Sequence, residues 1–395
     1  MTAQTTKNIS LHEAVTLGLS SNPIILQSRH EVKSARGKIL QAGKIQNPEI
    51  GFTLNEVPSG YKFGSANEKD ISISQFFEYP TKRSNRISSA SFDEQIAIAG
   101  VEQAKVLVTN SIRKAYINAQ YSREVVRNIE KQLMMFSDFQ STITDKYKTG
   151  EAKYFDVVRI EIETARLHND LLEAKNNDIR MQSALKNSIG DSSATYYIPQ
   201  DSLVFQPIIV NKDSVIDVLI RQSNILKMKR LQIEKKESNV TLAKSSYYPD
   251  YGVGLAYQRR TPSSSFLGVE FKVAVPLWFW QEPQGLVEDA IAQLSIAEVQ
   301  LRAVEYKIRN NLKSAYASVQ SAGRQMKNIE QILKKGLSEM QSVALSQYRN
   351  NQIDLLNLFD VYRSVRTMQE EYIRSVANFE NALAELEVAA ELITD

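Results

Sequence analysis

The chain of 395 residues contains no cysteine. That absence excludes a disulfide framework, a thiolate zinc site and a cysteine nucleophile. In the sequence as it stands it also excludes acylation at an N-terminal cysteine, and it leaves the redox compartment open. Histidine is nearly as scarce. His12, His30 and His168 are the only three, and none lies at metal-ligand spacing from another or from a carboxylate. His168 falls within a long helical pattern and reads as solvated surface. No run of 18 apolar residues exists, so no transmembrane helix is available. The opening Met1-Thr2-Ala3-Gln4-Thr5-Thr6 is polar, which is not a secretory signal. Charge is nearly balanced, 48 Lys and Arg against 45 Asp and Glu, and no basic block stands out; nucleic acid is not an expected partner. Glycine-rich phosphate loops and nucleophile–base sets are missing too. Met134-Met135 is the one soft-metal temptation, but adjacent helix positions point to different faces, so the pair reads as core filling. The sequence therefore predicts no catalysis, no cofactor and no metal site.

What is present is helix of unusual length. Residues 281–348 read as one uninterrupted helix, with no proline between Pro283 and a polar turn at 349–352. From Ile308 the apolar positions Leu312, Ala315, Val319, Ala322, Met326, Ile329, Leu333, Leu337, Met340, Ala344 and Tyr348 follow at steps of mostly three and four. That is a heptad-like seam, the pattern by which helices pack side by side over long distances. At about 1.5 Å per residue the stretch is a rod roughly 100 Å long, whereas an ordinary helix has about 11–12 residues. After Tyr348-Arg349-Asn350-Asn351-Gln352, the same spacing resumes with Leu355, Leu358, Tyr362, Val365, Tyr372, Val376, Phe379, Leu383 and Leu386. Residues 281–348 and 352–392 thus form an antiparallel hairpin.

The plan occurs twice. The first half, residues 1–205, opens with a helical segment at about 9–45. Ser10 and Glu13 fit a capping box, Asn22-Pro23 interrupts the segment, and Asn47-Pro48 ends it. Two candidate strands follow at about 49–57 and 69–79, joined through Pro58-Ser59-Gly60. Next comes a helical hairpin over 81–190 with its turn at Lys148-Thr149-Gly150, then a linker over 191–211. The second half, residues 206–395, repeats this order: helix at 213–246, strands at about 250–260 and 266–276, hairpin over 281–392. Asn47-Pro48 matches Tyr248-Pro249, and Gly51-Phe52-Thr53-Leu54 matches Gly252-Val253-Gly254-Leu255. Ile112-Arg113-Lys114-Ala115-Tyr116 matches Leu312-Lys313-Ser314-Ala315-Tyr316, and Tyr147-Lys148-Thr149-Gly150 matches Tyr348-Arg349-Asn350-Asn351. A period this long is a duplicated structural half rather than a solenoid repeat, and the two halves are expected to form one intertwined subunit. The expected class is mainly α with a small β part.

The strands carry the functional argument. Tyr251, Val253, Leu255 and Tyr257 alternate with Gly252, Gly254 and Ala256; Val269, Phe271, Val273 and Val275 alternate with Glu270, Lys272 and Ala274. Strands of about 11 residues with one apolar and one small or polar face suit a lipid-spanning barrel with a wet lumen. Aromatic clusters at the strand ends, Phe76, Phe77 and Tyr79 in one half and Trp278, Phe279 and Trp280 in the other, suit a membrane–water interface. A soluble sheet packed on a helix shows the same alternation. Four strands do not close a barrel, however, and lipid tolerates no open edge. Three chains of four give a 12-stranded barrel, and the same symmetry places twelve long helices in a ring as a 12-helix α-barrel.

Taken in order, these features resemble the TolC family of outer-membrane factors. The resemblance is carried by Ile9-Ser10-Leu11-His12-Glu13-Ala14-Val15 with Asn22-Pro23, by the duplicated layout, by Gln75-Phe76-Phe77-Glu78-Tyr79-Pro80-Thr81-Lys82-Arg83, and by Tyr147-Lys148-Thr149-Gly150 with Phe155-Asp156-Val157. It covers about 9–390, and the segment 75–83 leans to the heavy-metal-efflux, CzcC-like branch. The resemblance implies a homotrimeric channel in the bacterial outer membrane and periplasm, whose leader this sequence does not show. It implies as partners a periplasmic adaptor, an inner-membrane pump of RND type and outer-membrane lipid. The function so implied is a passive duct of a tripartite efflux system exporting metal cations, with drugs or secreted proteins as alternatives within the class. By position, Asp156, Tyr348, Asn357 and Asp360 fall on the family's gate, and some members carry an aspartate where Asn357 stands. The latch arginine of some members falls on Ile353, leaving Arg349 or Asp354 as substitutes. Thr149, Gly150, Glu151, Asn350, Asn351 and Gln352 fall on the tips that meet the adaptor.

The residues themselves support the gate independently. Three copies of one carboxylate near a threefold axis form a ring of negative charge that favours cations. An acidic residue in the first turn of a helix also simply stabilises its positive end, which is the alternative for Asp156, Asp354 and Asp360. A soluble coiled-coil scaffold or adaptor explains the rods but not twin strand pairs ended by aromatics.

Overall fold

A computed structural model describes residues 5–57, 60, 66–193, 195–205, 223–261, 264–334 and 336–391. The first half begins with β1 (Thr5–Ile9), α1 (Leu11–Ser21) and α2 (Pro23–Ala42), and continues with β2 (Glu49–Asn55), β3 (Glu68–Phe77), α3 (Pro80–Lys148), α4 (Tyr154–Ile189) and β4 (Thr195–Pro199). The second half supplies α5 (Asn224–Lys244), β5 (Asp250–Thr261), β6 (Ser264–Ala274), α6 (Glu282–Lys334), α7 (Leu337–Arg349) and α8 (Leu355–Ala389). The class is mainly helical with a small sheet, as expected.

Three expectations need correction. The helix read over 281–348 is not continuous: Gly336 has φ 99 and separates α6 from α7. A positive φ of that size is open to glycine at little cost. The linker over 191–211 contains β4, which pairs in parallel with β1 from Thr5↔Thr195 to Ile9↔Pro199. Met134 is 67% exposed and fills no core in this chain, while Met135 packs beside one. Of the remaining calls, Pro58, Ser59 and residues 213–222 lie outside the described residues.

The chain divides into two compact units. One comprises Met1–Gln27, Val101–Ser223 and Tyr306–Asp395; the other comprises Ser28–Gly100 and Asn224–Glu305. Each draws on both sequence halves.

In the first unit the entry to α1 is fixed by the capping box. Glu13 N donates to Ser10 Oγ (3.2 Å) while Ser10 N donates to Glu13 Oε2 (2.9 Å). Asn22-Pro23 has a packing reason. The buried Asn22 amide donates to Ser188 O (2.8 Å) and its oxygen accepts from Ile24 N (2.9 Å). Gly190 closes α4 at φ 79, where an added Cβ would stand 2.6 Å from Pro23 Cδ. Ile9, Val15, Ile25, Ile112, Tyr116, Leu185 and Ile189 form the core around this joint.

Tyr116 locks the small parallel sheet in place. Its hydroxyl donates to Asp201 Oδ2 (2.5 Å), with Ile9 O at 3.0 Å. Gln120 Nε2 donates to Asp201 O (2.9 Å) and Arg123 Nη1 to Pro199 O (2.8 Å). Burial, and then the bond to the Asp201 carboxylate, push the Tyr116 phenol up.

In the second unit the strands form one antiparallel sheet in the order β2-β3-β5-β6. Its apolar side chains share one face in register: Ile50, Ile73, Leu255 and Val269 make one row, and Phe52, Ile71, Tyr257 and Leu267 the next. All eight are exposed. The opposite face carries Gly51, Ser72, Ala256 and Gly268 between those rows.

Candidate functional site

The two hairpin turns come together at one place in the first unit. The core beneath them joins Phe139 and Ile143 of α3, Ile160 of α4, Ala344 and Tyr348 of α7, and Leu355, Leu358, Phe359 and Tyr362 of α8. Rings dominate it: Phe139 and Tyr362 meet edge to face at 4.5 Å and Phe136 stacks on Phe359 at 6.1 Å. Such aromatic pairs add about 0.5–1.5 kcal/mol each beyond the area they bury. The turns themselves use left-handed backbone, Gly150 at φ 79 and Asn351 at φ 58.

Above that core lies a groove of about 580 Å³. Of the gate candidates, Asp156, Tyr348, Asp354 and Asn357 line it, and of the tip candidates Glu151, Asn351 and Gln352 do. Asp360 stands further along α8, exposed, its carbonyl accepting from Ser364 Oγ (2.8 Å). Thr149, Gly150 and Asn350 are exposed in the turns without lining the groove. Two of the carboxylates cap helices. Lys153 N donates to Asp156 Oδ2 (3.1 Å), and Asn357 N donates to Asp354 Oδ1 (2.8 Å). Helix-end stabilisation is therefore a working role of both. Tyr348 is buried; that burial, followed by the nearby Asp156 carboxylate, raises its phenol pKa. Burial pushes Tyr362 up to about 12. Both phenols stay neutral near pH 7, and Tyr362 donates to Gln341 O (3.3 Å).

Lys146 ties the two turns together, and sequence reasoning missed it. Its ammonium donates to Asn351 Oδ1 (2.5 Å) and Tyr348 O (3.3 Å), lies 5.1 Å from the Tyr348 ring centroid, and sits 3.9 Å from Glu151. Arg159 stands 5.7 Å over the Phe359 ring. The available signal was a lysine in the last turn of a helix, where cations meet unpaired carbonyls. Ile353, where the resemblance placed a latch arginine, packs on the aromatic core.

The aromatic candidates belong to the second unit and fall into two groups. Phe77 stacks on Tyr251 (5.6 Å) and Tyr79 on Tyr248 (4.5 Å), while Lys272 Nζ lies 5.7 Å from the Phe76 ring centroid. Trp278, Phe279 and Trp280 are 54–63% exposed, Phe279 meeting only its neighbour Trp280 edge to face among the ring contacts of the described residues. The basic residues of the 75–83 segment are structural. Lys82 Nζ donates to Asp250 Oδ1 (2.8 Å) and Arg83 Nε to Gly43 O (2.8 Å). Among the described residues no group of three metal-binding side chains stands together, and no helix is long and apolar enough to cross a membrane.

The fold is that of outer-membrane channel subunits. It superposes on CusC with a TM-score of 0.80 at 13% identity, covering 96% of this chain and 92% of that one. On the outer membrane protein VceC of Vibrio cholerae the TM-score is 0.77 at 16% identity, covering 96% of each. Residues 15–191 and 215–390 both match the outer membrane efflux protein family, and the chain belongs to that family. It is also 21% identical over 368 residues to the cobalt-zinc-cadmium resistance protein CzcC of Cupriavidus metallidurans, covering 92% of this chain and 86% of that one. Family and fold are those of transport channels.

Proposed function

We propose that the chain is the outer-membrane duct of a tripartite efflux system, assembled as a homotrimer. The observation that carries this reading is the sheet: an apolar face left exposed across all four strands, with β2 and β6 as its outer strands. Lipid accepts such a face but no open edge, and three sheets of four strands close a 12-stranded barrel within the size range of membrane barrels. The long hairpins of three copies then make a 12-helix α-barrel. A soluble scaffold would have to leave the same apolar rows in water.

In this reading Phe76, Phe77, Tyr79, Trp278, Phe279 and Trp280 lie at the membrane interface, and the turns at Thr149-Gly150-Glu151 and Asn350-Asn351-Gln352 meet a periplasmic adaptor. That adaptor links the duct to an inner-membrane pump of RND type. Asp156, Tyr348, Asp354, Asn357 and Asp360 surround the periplasmic opening. Metal cations are the proposed cargo, supported by the likeness to a cobalt-zinc-cadmium resistance protein; drugs and secreted proteins are the competing cargoes.

Purification tests the assembly: the protein should require detergent and run as a trimer, and a monodisperse, detergent-free monomer would end the reading. Deleting the gene should raise sensitivity to metals more than to drugs. Asp360→Ala should raise ion conductance through the trimer in planar bilayers; unchanged conductance and cation preference would remove Asp360 from the opening.

A further inference from the structure

The sheet contains an internal template for how a second copy attaches. The template rests on the trimer reading and follows from the repeat and the observed registers. β2 corresponds to β5, Gly51-Phe52-Thr53-Leu54 to Gly252-Val253-Gly254-Leu255, which equates Glu49 with Asp250. Glu49 pairs with Ser74 and Asp250 with Ala274, so Ser74 of β3 corresponds to Ala274 of β6. The junction between the halves is β3 against β5, with Ser74 opposite Gly254, Ile73 opposite Leu255 and Ser72 opposite Ala256.

Carried through the correspondence, that junction becomes β6 of one copy against β2 of the next. We propose that a second copy adds its β2 edge antiparallel to β6 with Thr53 opposite Ala274, Leu54 opposite Val273 and Asn55 opposite Lys272. Side-chain parity agrees. Leu54 and Val273 both belong to the apolar face, and the other four belong to the small and polar face, so each face continues across the seam. A slip of one residue would turn every side chain to the wrong side.

The two junctions differ in what closes them. Within the chain, Lys82 bridges to Asp250 and Tyr79 stacks on Tyr248. The corresponding residues between copies are Glu282 facing Glu49, and Phe279 facing Asn47. Both carboxylates are exposed in the single chain. The seam between copies thus lacks the ion pair and the ring stack that the seam within the chain has, and relies on backbone pairing and apolar contact.

The absence of cysteine makes the register directly measurable. Residues directly opposite in an antiparallel pair lie about 4.5–5.5 Å apart at Cα, and their diagonal neighbours about 7–8 Å; a disulfide does not span more than about 7 Å. Ala274→Cys is combined in turn with Gly51→Cys, Thr53→Cys or Asn55→Cys, and the detergent-extracted full chain is oxidised and run on a non-reducing gel. The Thr53→Cys variant should give a covalent trimer at least about five times more abundant than either neighbour. If it does not fold, Leu54→Cys with Val273→Cys reads the same register on the other face. Preferential linkage at Gly51 or Asn55, or a trimer that no pair links, overturns the register and leaves the trimer standing. A monomer in detergent that no pair links overturns both.

Discussion

In the first hairpin α3 runs its 69 residues from Pro80 to Lys148 without a break; in the second, the corresponding run is divided at Gly336. The matched sequences show why. Ile112 corresponds to Leu312 while Tyr147 corresponds to Tyr348, so the second run carries one residue more between those points. One residue turns an α-helix by about 100°, and the seam takes that up with consecutive steps of four, Ile329 to Leu333 to Leu337 and Met340 to Ala344 to Tyr348. Leu312, Val319 and Met326 are buried before the break and Ala344 and Tyr348 after it. The helix breaks between those two groups, at Gly336 with φ 99. The comparison teaches that the phase of the seam is kept and the continuity of the helix is given up for it.

The sharpest way to break that comparison is to move the extra residue. One alanine inserted after Phe136 puts it in α3, which has no glycine there. Phe139 and Ile143, 2% and 0% exposed, would turn away from the core. Burial of such a side chain contributes about 1.5–3 kcal/mol against a typical total of about 5–15 kcal/mol, so the folded state should be lost. Deleting Gly336 should keep the fold, because the stretch from Leu312 to Tyr348 then matches the stretch from Ile112 to Tyr147 in length. Thermal melts followed by circular dichroism decide: a deletion as damaging as the insertion would refute the account.

Seams and strands were legible because both are periodic. The steps of three and four placed Leu355, Leu358, Tyr362 and Val365, and all four are buried. The break at Gly336 was not, since a lone glycine costs a helix only about 1 kcal/mol and no proline marks it. The β1–β4 pair joins two five-residue strands about 190 positions apart, and Thr5-Thr6-Lys7-Asn8-Ile9 shows no alternation to find. At the hairpin turns the residue types were visible but the grouping was not. Lys146 reaches Asn351 across 205 positions, a contact that spacing does not report. Nor did pattern separate Tyr147, 44% exposed, from its repeat counterpart Tyr348, 8% exposed.

A second pair of matched tyrosines gives a smaller contrast. Tyr116 is 2% exposed and holds Asp201 and Ile9 O, whereas Tyr316 is partly exposed and accepts from Gln320 Nε2 (2.9 Å) on its own helix. Tyr116→Phe removes the bond to Asp201, while Asp201 keeps Leu11 N (3.3 Å) and Ile9 O keeps Gln200 N (3.0 Å), a loss of about 0.5–1.5 kcal/mol. Tyr316→Phe removes a hydroxyl that accepts a bond within its own helix and should cost less than Tyr116→Phe. Denaturant midpoints of the two variants measure the difference; equal midpoints would mean that the Asp201 clasp contributes nothing.

The smallest effect sharpens the contrast between the seam within the chain and the proposed seam between copies. Lys82 and Asp250 close the first at 2.8 Å; Glu282 and Glu49 stand at the corresponding places of the second. Glu282→Lys should rebuild the missing ion pair and remove a like-charge contact at once. An exposed pair contributes about 0–1 kcal/mol, but the three seams of the proposed trimer add, so it should survive a few degrees higher in a heated detergent gel. Glu282→Gln removes only the repulsion and should give a smaller rise. Screening distinguishes charge from any gain in helix propensity: with a Debye length of about 3 Å at 1 M salt, the advantage of lysine over glutamine should shrink toward nothing. An advantage that persists in high salt would mean that the two glutamates do not face each other across the seam.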